Sequence, residues 1–228
     1  MRQEFNDSFK SIRSILIAVF FIYISYESAG FISRNPDEVS EMLSSGMSEN
    51  QVYTAAIALV ILIFGFLFTF AISHDIINRE IETKTIRLLV TKISRTEIVL
   101  GKFLGVMLFW VATVTLSYAV LGLITKAWFP KDYIHSVVFL FYCVSFVLLL
   151  SSLINKTRVS MFAGILLGIA IPIIGLVAEY AEKWHWVALK YVLPFHYLQG
   201  AAWLAIVPVA IGTVYLMLSI ILLKGKDL

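Results

Sequence analysis

Six long apolar runs dominate this sequence and limit its fold more than any other feature. Each run has about 20 residues with almost no charge, which at roughly 1.5 Å of rise per residue is enough helix to cross a hydrocarbon core of about 30 Å. The runs occupy residues 14–32, 52–73, 103–125, 136–154, 159–178 and 201–223. The sequence therefore predicts an all-α membrane protein with six transmembrane helices.

The composition supports the same class of protein. Hydrophobic residues make up 60% of the 228 residues and charged residues only 14%, whereas soluble domains carry roughly 25% charged residues. The single cysteine, Cys143, rules out an intrachain disulfide and a cysteine-based metal cluster. Because no low-complexity linker or internal repeat divides the chain, residues 1–228 are predicted to form one transmembrane domain.

The positions of Lys and Arg predict how the helices are oriented. Thirteen of the eighteen Lys and Arg residues lie in segments that six spans would place on one side of the membrane. Those segments are 1–13, 73–102, 155–158 and 224–228. By the positive-inside rule this side is the cytoplasm, so both termini are predicted to be cytoplasmic.

The first thirteen residues are predicted to form an interfacial helix rather than a cleaved signal. Met1, Phe5, Phe9 and Ile12 recur at helical spacing, and charged residues fill the positions between them. A helix with one apolar and one charged face lies in the plane of the membrane interface.

The connector between the second and third spans, residues 73–102, carries six of the eighteen basic residues together with four acidic ones. Ile77, Ile81, Thr85 and Leu88 follow a helical spacing, which predicts that the second helix continues below the membrane. Ser94, with Glu97 three residues later, has the pattern of a capping box that would start the third helix. We call residues 73–102 the elbow. It is suited to dock another protein, although a solvated loop with a positive-inside bias is the simpler alternative.

The segment before the last span, residues 182–200, mixes aromatic and apolar residues with few charges. It is predicted to be either a re-entrant helix broken at Pro194 or an ordinary aromatic belt of Trp184, Trp186 and Tyr197 at the headgroups. In the re-entrant case, Pro194 and Phe195 would form an outer gate.

The elbow sequence "REIETKTIRLLVTKISRTEIVLGKFLG" resembles the cytoplasmic signature of the type-2 ABC exporter permeases. In that family an acidic residue precedes a Gly-Thr-Leu-like step, then paired leucines, a Ser-Arg and a Gly-Lys that opens the third span. The matching residues here are Glu80 or Glu82, Thr85, Leu88, Leu89, Ser94, Arg95, Gly101 and Lys102. Lys84 stands where the family usually has glycine. The stretch "YVLPFHYL" is similar to the family's Leu-Pro-Phe element before the final span.

This resemblance implies a transmembrane subunit that pairs with a second permease, a copy or a homologue, and binds two cytoplasmic ATPase subunits through the elbow. The residues it assigns to ATPase coupling are Glu80, Glu82, Thr85, Arg87, Leu88, Leu89, Ser94, Arg95 and Lys102. The chain has no G-x-x-x-x-G-K-[ST] loop, so ATP and Mg²⁺ are expected on the partner, with no cofactor and no catalytic residue here. The expected location is the plasma membrane of a bacterium or archaeon, and no nucleic-acid partner is expected.

The spans themselves indicate little chemistry. Glu27 is the only Asp, Glu, Lys or Arg within them, which argues against coupling to an ion gradient. Hydroxyl and aromatic side chains such as Thr113, Thr115, Tyr118 and Tyr215 favour an amphipathic or hydrophobic substrate, for example a peptide, an antibiotic or a lipid-like molecule, moved out of the cell.

Two other function classes stay open at this stage. One is a non-transporting membrane assembly or immunity factor, and the other is an intramembrane enzyme with an unfamiliar site. No H-E-x-x-H or G-x-S-x-G motif is present, and His185 and His196 lack a carboxylate pattern, so no metal site is predicted. Gly164 and Gly168 form a G-x-x-x-G step that permits close packing, either within one subunit or between two.

Overall fold

The computed structural model describes residues 11–86, 91, 93–181, 183–198 and 202–226. Residues 1–10 of the predicted interfacial helix lie outside the described residues, as do Arg87, Leu88 and Leu89 of the elbow. Every regular element in the described part is a helix, and six of these helices are long and apolar enough to cross a membrane. The predicted fold class is confirmed.

Ten α-helices and one short 3-10 helix follow one another along the described chain. They are α1 (Ile12–Arg34), α2 (Pro36–Ser44), α3 (Glu49–Ser73), α4 (Asn78–Glu82), α5 (Arg95–Thr125), α6 (Pro130–Leu153), α7 (Thr157–Tyr180), α8 (Trp184–Val192), α9 (Phe195–Leu198), the 3-10 helix Ala202–Ala205 and α10 (Ile206–Gly225). The spans are α1, α3, α5, α6, α7 and α10. Helices α5 and α6 begin earlier than the apolar runs at 103 and 136, because polar residues form their first turns.

Helix α6 lies at the centre of the bundle. It packs against α3, α5 and α10, while α1 packs on α3 and α5, and α7 packs on α3. In α6, 61% of an apolar stretch of 18 residues is buried inside the bundle, against 28–44% of the corresponding stretches in the other five spans. A helix that is apolar on all sides is expected in such a position, because its neighbours rather than lipid cover every face.

Interlocking aromatic rings and paired hydroxyls hold the spans together. The Phe66 ring of α3 meets the rings of Phe139 and Tyr142 of α6 edge to face, with centroids 5.7 and 6.1 Å apart. Across helices, the Tyr118 hydroxyl lies 3.0 Å from the Ser136 hydroxyl. Because lipid is as apolar as leucine, close packing and such hydrogen bonds, worth about 0.6 kcal/mol each, replace the hydrophobic effect as the source of association.

The glycine step of α7 packs within this subunit. A Cβ atom on Gly164 would lie 2.8 Å from the Phe70 ring, and one on Gly168 would lie 2.9 Å from the Leu67 Cα atom. Both contacts are with α3, so the glycines let two backbones approach closely. Of the two alternatives that the sequence left open, the structure favours packing within one subunit.

Candidate functional site

The elbow begins with a break in the helix. Helix α3 ends at Ser73, residues 74–77 form a turn, and α4 follows as a five-residue helix. The second helix was predicted to continue below the membrane, and the structure shows that it does so only after this turn, as α4. The apolar spacing was compatible with a continuous helix, but contacts from other helices stabilise the turn instead.

Hydroxyl groups from α6 and α7 bind the backbone that the break exposes. The Ser151 hydroxyl accepts hydrogen bonds from the Ile77 and Asn78 N–H groups at 3.0 and 3.3 Å. The Ser160 hydroxyl donates to the His74 carbonyl at 2.7 Å. Because backbone groups left unpaired in an apolar interior are unfavourable, these serines make the turn possible.

The apolar stripe of the elbow is only partly used as predicted. Ile77 is fully buried, Ile81 packs against the core, and Ile86 is also buried. Thr85 is exposed, and its hydroxyl lies 2.9 Å from that of Thr83. The elbow is thus anchored by its isoleucines, with Thr85 on its outer surface.

Glu80 and Lys102 form an ion pair between α4 and α5. The Lys102 Nζ lies 2.7 Å from the Glu80 Oε1, and the two side chains are only 6% and 21% exposed. A buried pair of this kind holds two elements in one register, because removing either charge leaves the other unpaired in a poorly solvated place. Two residues of the predicted coupling set therefore bind each other.

Glu82 binds the beginning of α7. Its Oε2 accepts a hydrogen bond of 2.9 Å from the Thr157 backbone N–H. Thr157 is the first residue of α7, so the carboxylate satisfies one of the free N–H groups and opposes the positive end of the helix dipole. Lys156 and Arg158 add two nearby positive charges.

Ser94 and Arg95 connect the start of α5 to the end of α10. Ser94 and Glu97 form the predicted capping box, with the Ser94 N–H donating to Glu97 Oε2 at 2.8 Å and the Glu97 N–H donating to Ser94 Oγ at 3.2 Å. Arg95 Nη1 lies 2.7–2.9 Å from the carbonyl oxygens of Leu223, Lys224 and Lys226. A cation at the last carbonyls of a helix also complements its dipole.

The end of α10 is held by a second contact. The Lys226 ammonium donates to the Asn155 side-chain oxygen in the short connection between α6 and α7. Partial burial lowers the pKa of this ammonium. The C-terminal end of α10 therefore contacts α5 through Arg95 and the connection between α6 and α7 through Lys226.

These contacts leave a short surface facing away from the bundle. Residues 82–85 are all exposed, and we call them the exposed strip. Glu80, Arg95 and Lys102, which the sequence assigned to coupling, instead hold the strip in place from behind or beside it, and Glu82 fixes one end of the strip to Thr157. Their partners on α7 and α10 are far away in sequence and were missed.

The segment before the last span, described at residues 183–198, reaches into the bundle at Phe195. Helix α8 packs on α7, the chain turns at Leu193 and Pro194, and the Phe195 side chain is 8% exposed. The Phe195 ring lies 5.6 Å from the Phe139 ring centroid, and a Cβ on Gly175 would come within 2.4 Å of it. Because Gly175 has no side chain, the Phe195 ring can pack directly against α7 at this position.

Polar contacts also hold this segment. Glu179 Oε1, near the end of α7, lies 3.2 Å from both the Lys190 Nζ and the His196 Nδ1. The Tyr197 hydroxyl donates to the Tyr191 carbonyl at 2.7 Å, and burial raises the pKa of this phenol. Tyr197 therefore stabilises the segment by a hydrogen bond within it. Trp184, in contrast, is 82% exposed, as expected of an aromatic belt.

The comparisons with known proteins give the family. A family model described as "ABC-2 family transporter protein" matches residues 1–227. The chain belongs to the ABC-2 transporter family. This ABC-2 permease is a multi-pass membrane protein of an ABC transporter, a family that works with ATPase partners and is typically not catalytic itself. A comparison with the curated proteins found no match.

Membership in a transporter family favours the permease over the membrane enzyme and the assembly or immunity factor. Within the described part of the permease, no three His, Cys, Asp or Glu side chains lie close enough together to hold a metal ion. The helix cap at Ser94 is the elbow feature that local sequence revealed.

Lys84 has a backbone conformation that favours glycine. Its φ angle is +59°, in the left-handed region that costs residues with a Cβ roughly 1–2 kcal/mol. Lys84→Gly is expected to leave the permease as stable or to stabilise it by about 0.5–1 kcal/mol, while Lys84→Val is expected to destabilise it by about 1 kcal/mol or more. Thermal unfolding of the purified permease in detergent measures both.

The matched control is the preceding residue. Thr83 has an ordinary φ of −82°, so Thr83→Gly is expected to destabilise the elbow slightly. Equal unfolding temperatures for Lys84→Gly and Lys84→Val would contradict the left-handed turn.

Proposed function

We propose that this permease is the transmembrane subunit of an ATP-driven exporter and that its elbow receives the ATPase. The observation that carries the proposal is the triple anchoring of the elbow, by Glu80 to Lys102, by Glu82 to Thr157 and by Arg95 to the end of α10. The anchors reach three different spans: α5, α7 and α10. A partner that pushes on the exposed strip would therefore move these helices together.

The charges act in this proposal by positioning the strip. A single exposed ion pair contributes only about 0–1 kcal/mol, so no one surface charge would hold an ATPase. The ordered backbone of residues 82–85 offers a fixed shape instead, with the half-exposed Ile93 beside the start of α5 as an apolar contact. Arg87, Leu88 and Leu89 stay in the proposed coupling set on the family resemblance alone.

The assembly that follows has two ATPase subunits and two permeases, with ATP and Mg²⁺ bound by the ATPases. Its place is the plasma membrane of a bacterium or archaeon, with both termini in the cytoplasm, as the distribution of Lys and Arg predicts. The apolar outer faces of α1 and α7, which carry exposed residues such as Phe20 and Phe162, are available for lipid or for the second permease.

The proposed substrate is amphipathic or hydrophobic and is moved out of the cell. Thr113 donates to the Phe109 carbonyl, and Tyr118 and Tyr215 bind Ser136 and Tyr142 inside the bundle. Those hydroxyls serve packing and do not support the substrate class. The support that stays is the scarcity of charge in the spans, which disfavours ions and strongly polar solutes.

The test is ATP-dependent transport by the assembled complex. The permease is expressed with a candidate ABC ATPase from the same genome, purified and reconstituted in inside-out vesicles, and uptake of an apolar peptide or dye is measured. The proposal expects co-purification of both proteins and uptake that stops when the phosphate-loop lysine of the ATPase is replaced. Purification of the permease free of any ATPase, with no ATP-dependent uptake, would contradict it.

Phe195 is proposed to close the outer end of the path. Phe195→Ala removes a ring seated on Gly175 and is expected to lower transport severalfold, with about 3 kcal/mol of lost stability. Pro194→Ala is expected to have a smaller effect of the same sign, because it loosens the turn that aims the ring. Initial transport rates in vesicles measure both, and co-purification of the ATPase checks that assembly is intact.

Trp184→Ala is the control for this gate, because its ring is 82% exposed and lies outside the bundle. It is expected to transport normally. Wild-type rates for Pro194→Ala and Phe195→Ala would reduce the segment to an aromatic anchor.

A further inference from the structure

A cavity of 380 Å³ opens between α3 and α6, at the end of the bundle opposite the elbow. Its size falls within the range of roughly 300–1,000 Å³ typical of small-ligand sites. The polar side chains that line it are Gln51, Lys131, Asp132, His135 and Ser136. None of these polar residues belongs to the elbow, while Phe139 at the deep end of the cavity also contacts the Phe195 ring.

The cavity changes from polar to apolar with depth. Its polar residues belong to the first two turns of α3 and α6, whereas Ala58, Leu62 and Phe139 line the part further along these helices. At about 1.5 Å of rise per residue, Lys131 and Phe139 are about 12 Å apart along α6. A ligand that matches this gradient has a polar head and an apolar chain.

His135 indicates where the polar head binds. Its side chain is 7% exposed, it lines the cavity, and its Nε2 has no hydrogen-bond partner among the described residues. A buried imidazole nitrogen is normally hydrogen-bonded, so a ligand group that moves in beside His135 would satisfy this atom. Lys131 stands one turn away at the cavity mouth and would add a positive charge for an anionic group.

Asp132 indicates that the polar head of the ligand also carries a positive charge. It lines the same mouth, and its Oδ2 lies 3.2 Å from the Thr54 hydroxyl, which holds the carboxylate towards α3. One positive charge and one negative charge at the mouth match a zwitterion, because a purely anionic head would meet Asp132 and a purely cationic head would meet Lys131. Apart from His135, the aromatic residue in the described lining is Phe139, at the deep end. A quaternary ammonium, which prefers an aromatic cage, is therefore disfavoured against a primary ammonium.

We propose that this cavity binds a phosphatidylethanolamine molecule, with its phosphate at Lys131 and His135, its ammonium at Asp132, and the start of an acyl chain against Ala58, Leu62 and Phe139. The site is independent of the proposed ATPase docking and of the transported substrate. It is a lipid site of the permease itself, on the membrane face away from the elbow.

The test measures lipid retained by the full-length permease. The purified protein is delipidated in detergent and titrated with phosphatidylethanolamine, phosphatidylcholine and phosphatidylglycerol of identical acyl chains, and bound lipid is counted by native mass spectrometry. Phosphatidylethanolamine is expected to bind about tenfold more tightly than the other two. Glycerophosphoethanolamine, which has no acyl chains, is expected to bind much more weakly. Equal affinity for all three lipids, or for the chain-free head, would overturn the proposal.

Substitutions localise the binding. Ala58→Trp fills the cavity and is expected to abolish retention, while Leu59→Trp, on the next residue of α3 and 54% exposed, is expected to leave retention unchanged. Asp132→Asn is expected to remove the preference for phosphatidylethanolamine over phosphatidylcholine, and His135→Leu is expected to weaken both about tenfold. Normal retention by Ala58→Trp, or by His135→Leu should Ala58→Trp fail to fold, would place the lipid elsewhere and contradict the site.

Discussion

Lys102→Met is expected to lower the free energy of unfolding by about 3 kcal/mol, because it leaves the Glu80 carboxylate without its partner in a largely buried position. Removing one partner of a buried ion pair usually costs about 3–5 kcal/mol. We expect the lower end of this range, since the Glu80 side chain keeps 21% of its surface exposed and water offsets part of the loss. The same change frees α4 from α5, so ATP-driven transport is expected to fall more steeply than stability. Thermal unfolding in detergent and transport in vesicles measure the two effects.

Exchanging the two charged residues distinguishes the effect of losing the ion pair from the effect of losing a lysine. Glu80→Lys combined with Lys102→Glu is expected to recover part of the stability that Lys102→Met loses, because the pair is restored with reversed ends. Lys156→Met, at an exposed lysine, is expected to stay within about 0.5 kcal/mol of the wild type. An unfolding temperature for Lys102→Met equal to that of Lys156→Met would show that the pair does not hold the elbow.

Gly168→Leu is expected to cause the other large loss, about 3 kcal/mol or more. The new Cβ would lie 2.9 Å from the Leu67 Cα and 3.2 Å from its backbone nitrogen. A backbone cannot rotate away as a side chain does, so α3 and α7 must separate. Helix α7 also carries Thr157 at the elbow and Gly175 under Phe195, so this separation would disturb both ends of the permease.

Two further glycines test whether the backbone contact between α3 and α7 causes this loss of stability. Gly164 faces the Phe70 ring rather than backbone, so Gly164→Ala is expected to have a smaller effect. Gly101 has no atom within 4 Å of its ideal Cβ position, and Gly101→Ala is expected to be neutral or to stabilise α5 by up to about 1 kcal/mol. If Gly168→Leu unfolds at the wild-type temperature, the close contact between α3 and α7 is wrong.

Features that depend on length or on neighbouring residues were predictable from the sequence. The six spans follow from the length of the apolar runs, and the helix start at Ser94 follows from hydrogen bonds that span three residues. The turn at Lys84 was not predicted, because the spacing of Ile77, Ile81 and Thr85 indicated a helix through this position. Its positive φ occurs at the position where the family usually has glycine, so the family pattern and the backbone agree there.

Features that depend on distant residues could not be predicted in this way. Ser151 and Ser160 stabilise the break after α3 from other helices, and the Arg95 guanidinium binds carbonyls 128 to 131 residues away in sequence. A charge pattern alone does not distinguish a docking surface from a set of internal anchors, because both place acids and bases on an exposed connector. The cavity between α3 and α6 was missed because the sequence placed Lys131, Asp132 and His135 in a loop before the fourth span.

Site-specific crosslinking shows whether the elbow docks an ATPase at residues 82–85. Cys143 is fully buried, so a Cys143→Ala background with a single cysteine introduced at Thr83 or at Asn50 reports one position at a time. We expect a short thiol crosslinker to join the ATPase to the cysteine at Thr83 in the assembled complex. The cysteine at Asn50 is expected to give no such product and to react with an impermeant thiol reagent from outside. Crosslinking from Asn50 instead of Thr83, or labelling of both positions from the same face of the membrane, would contradict the account.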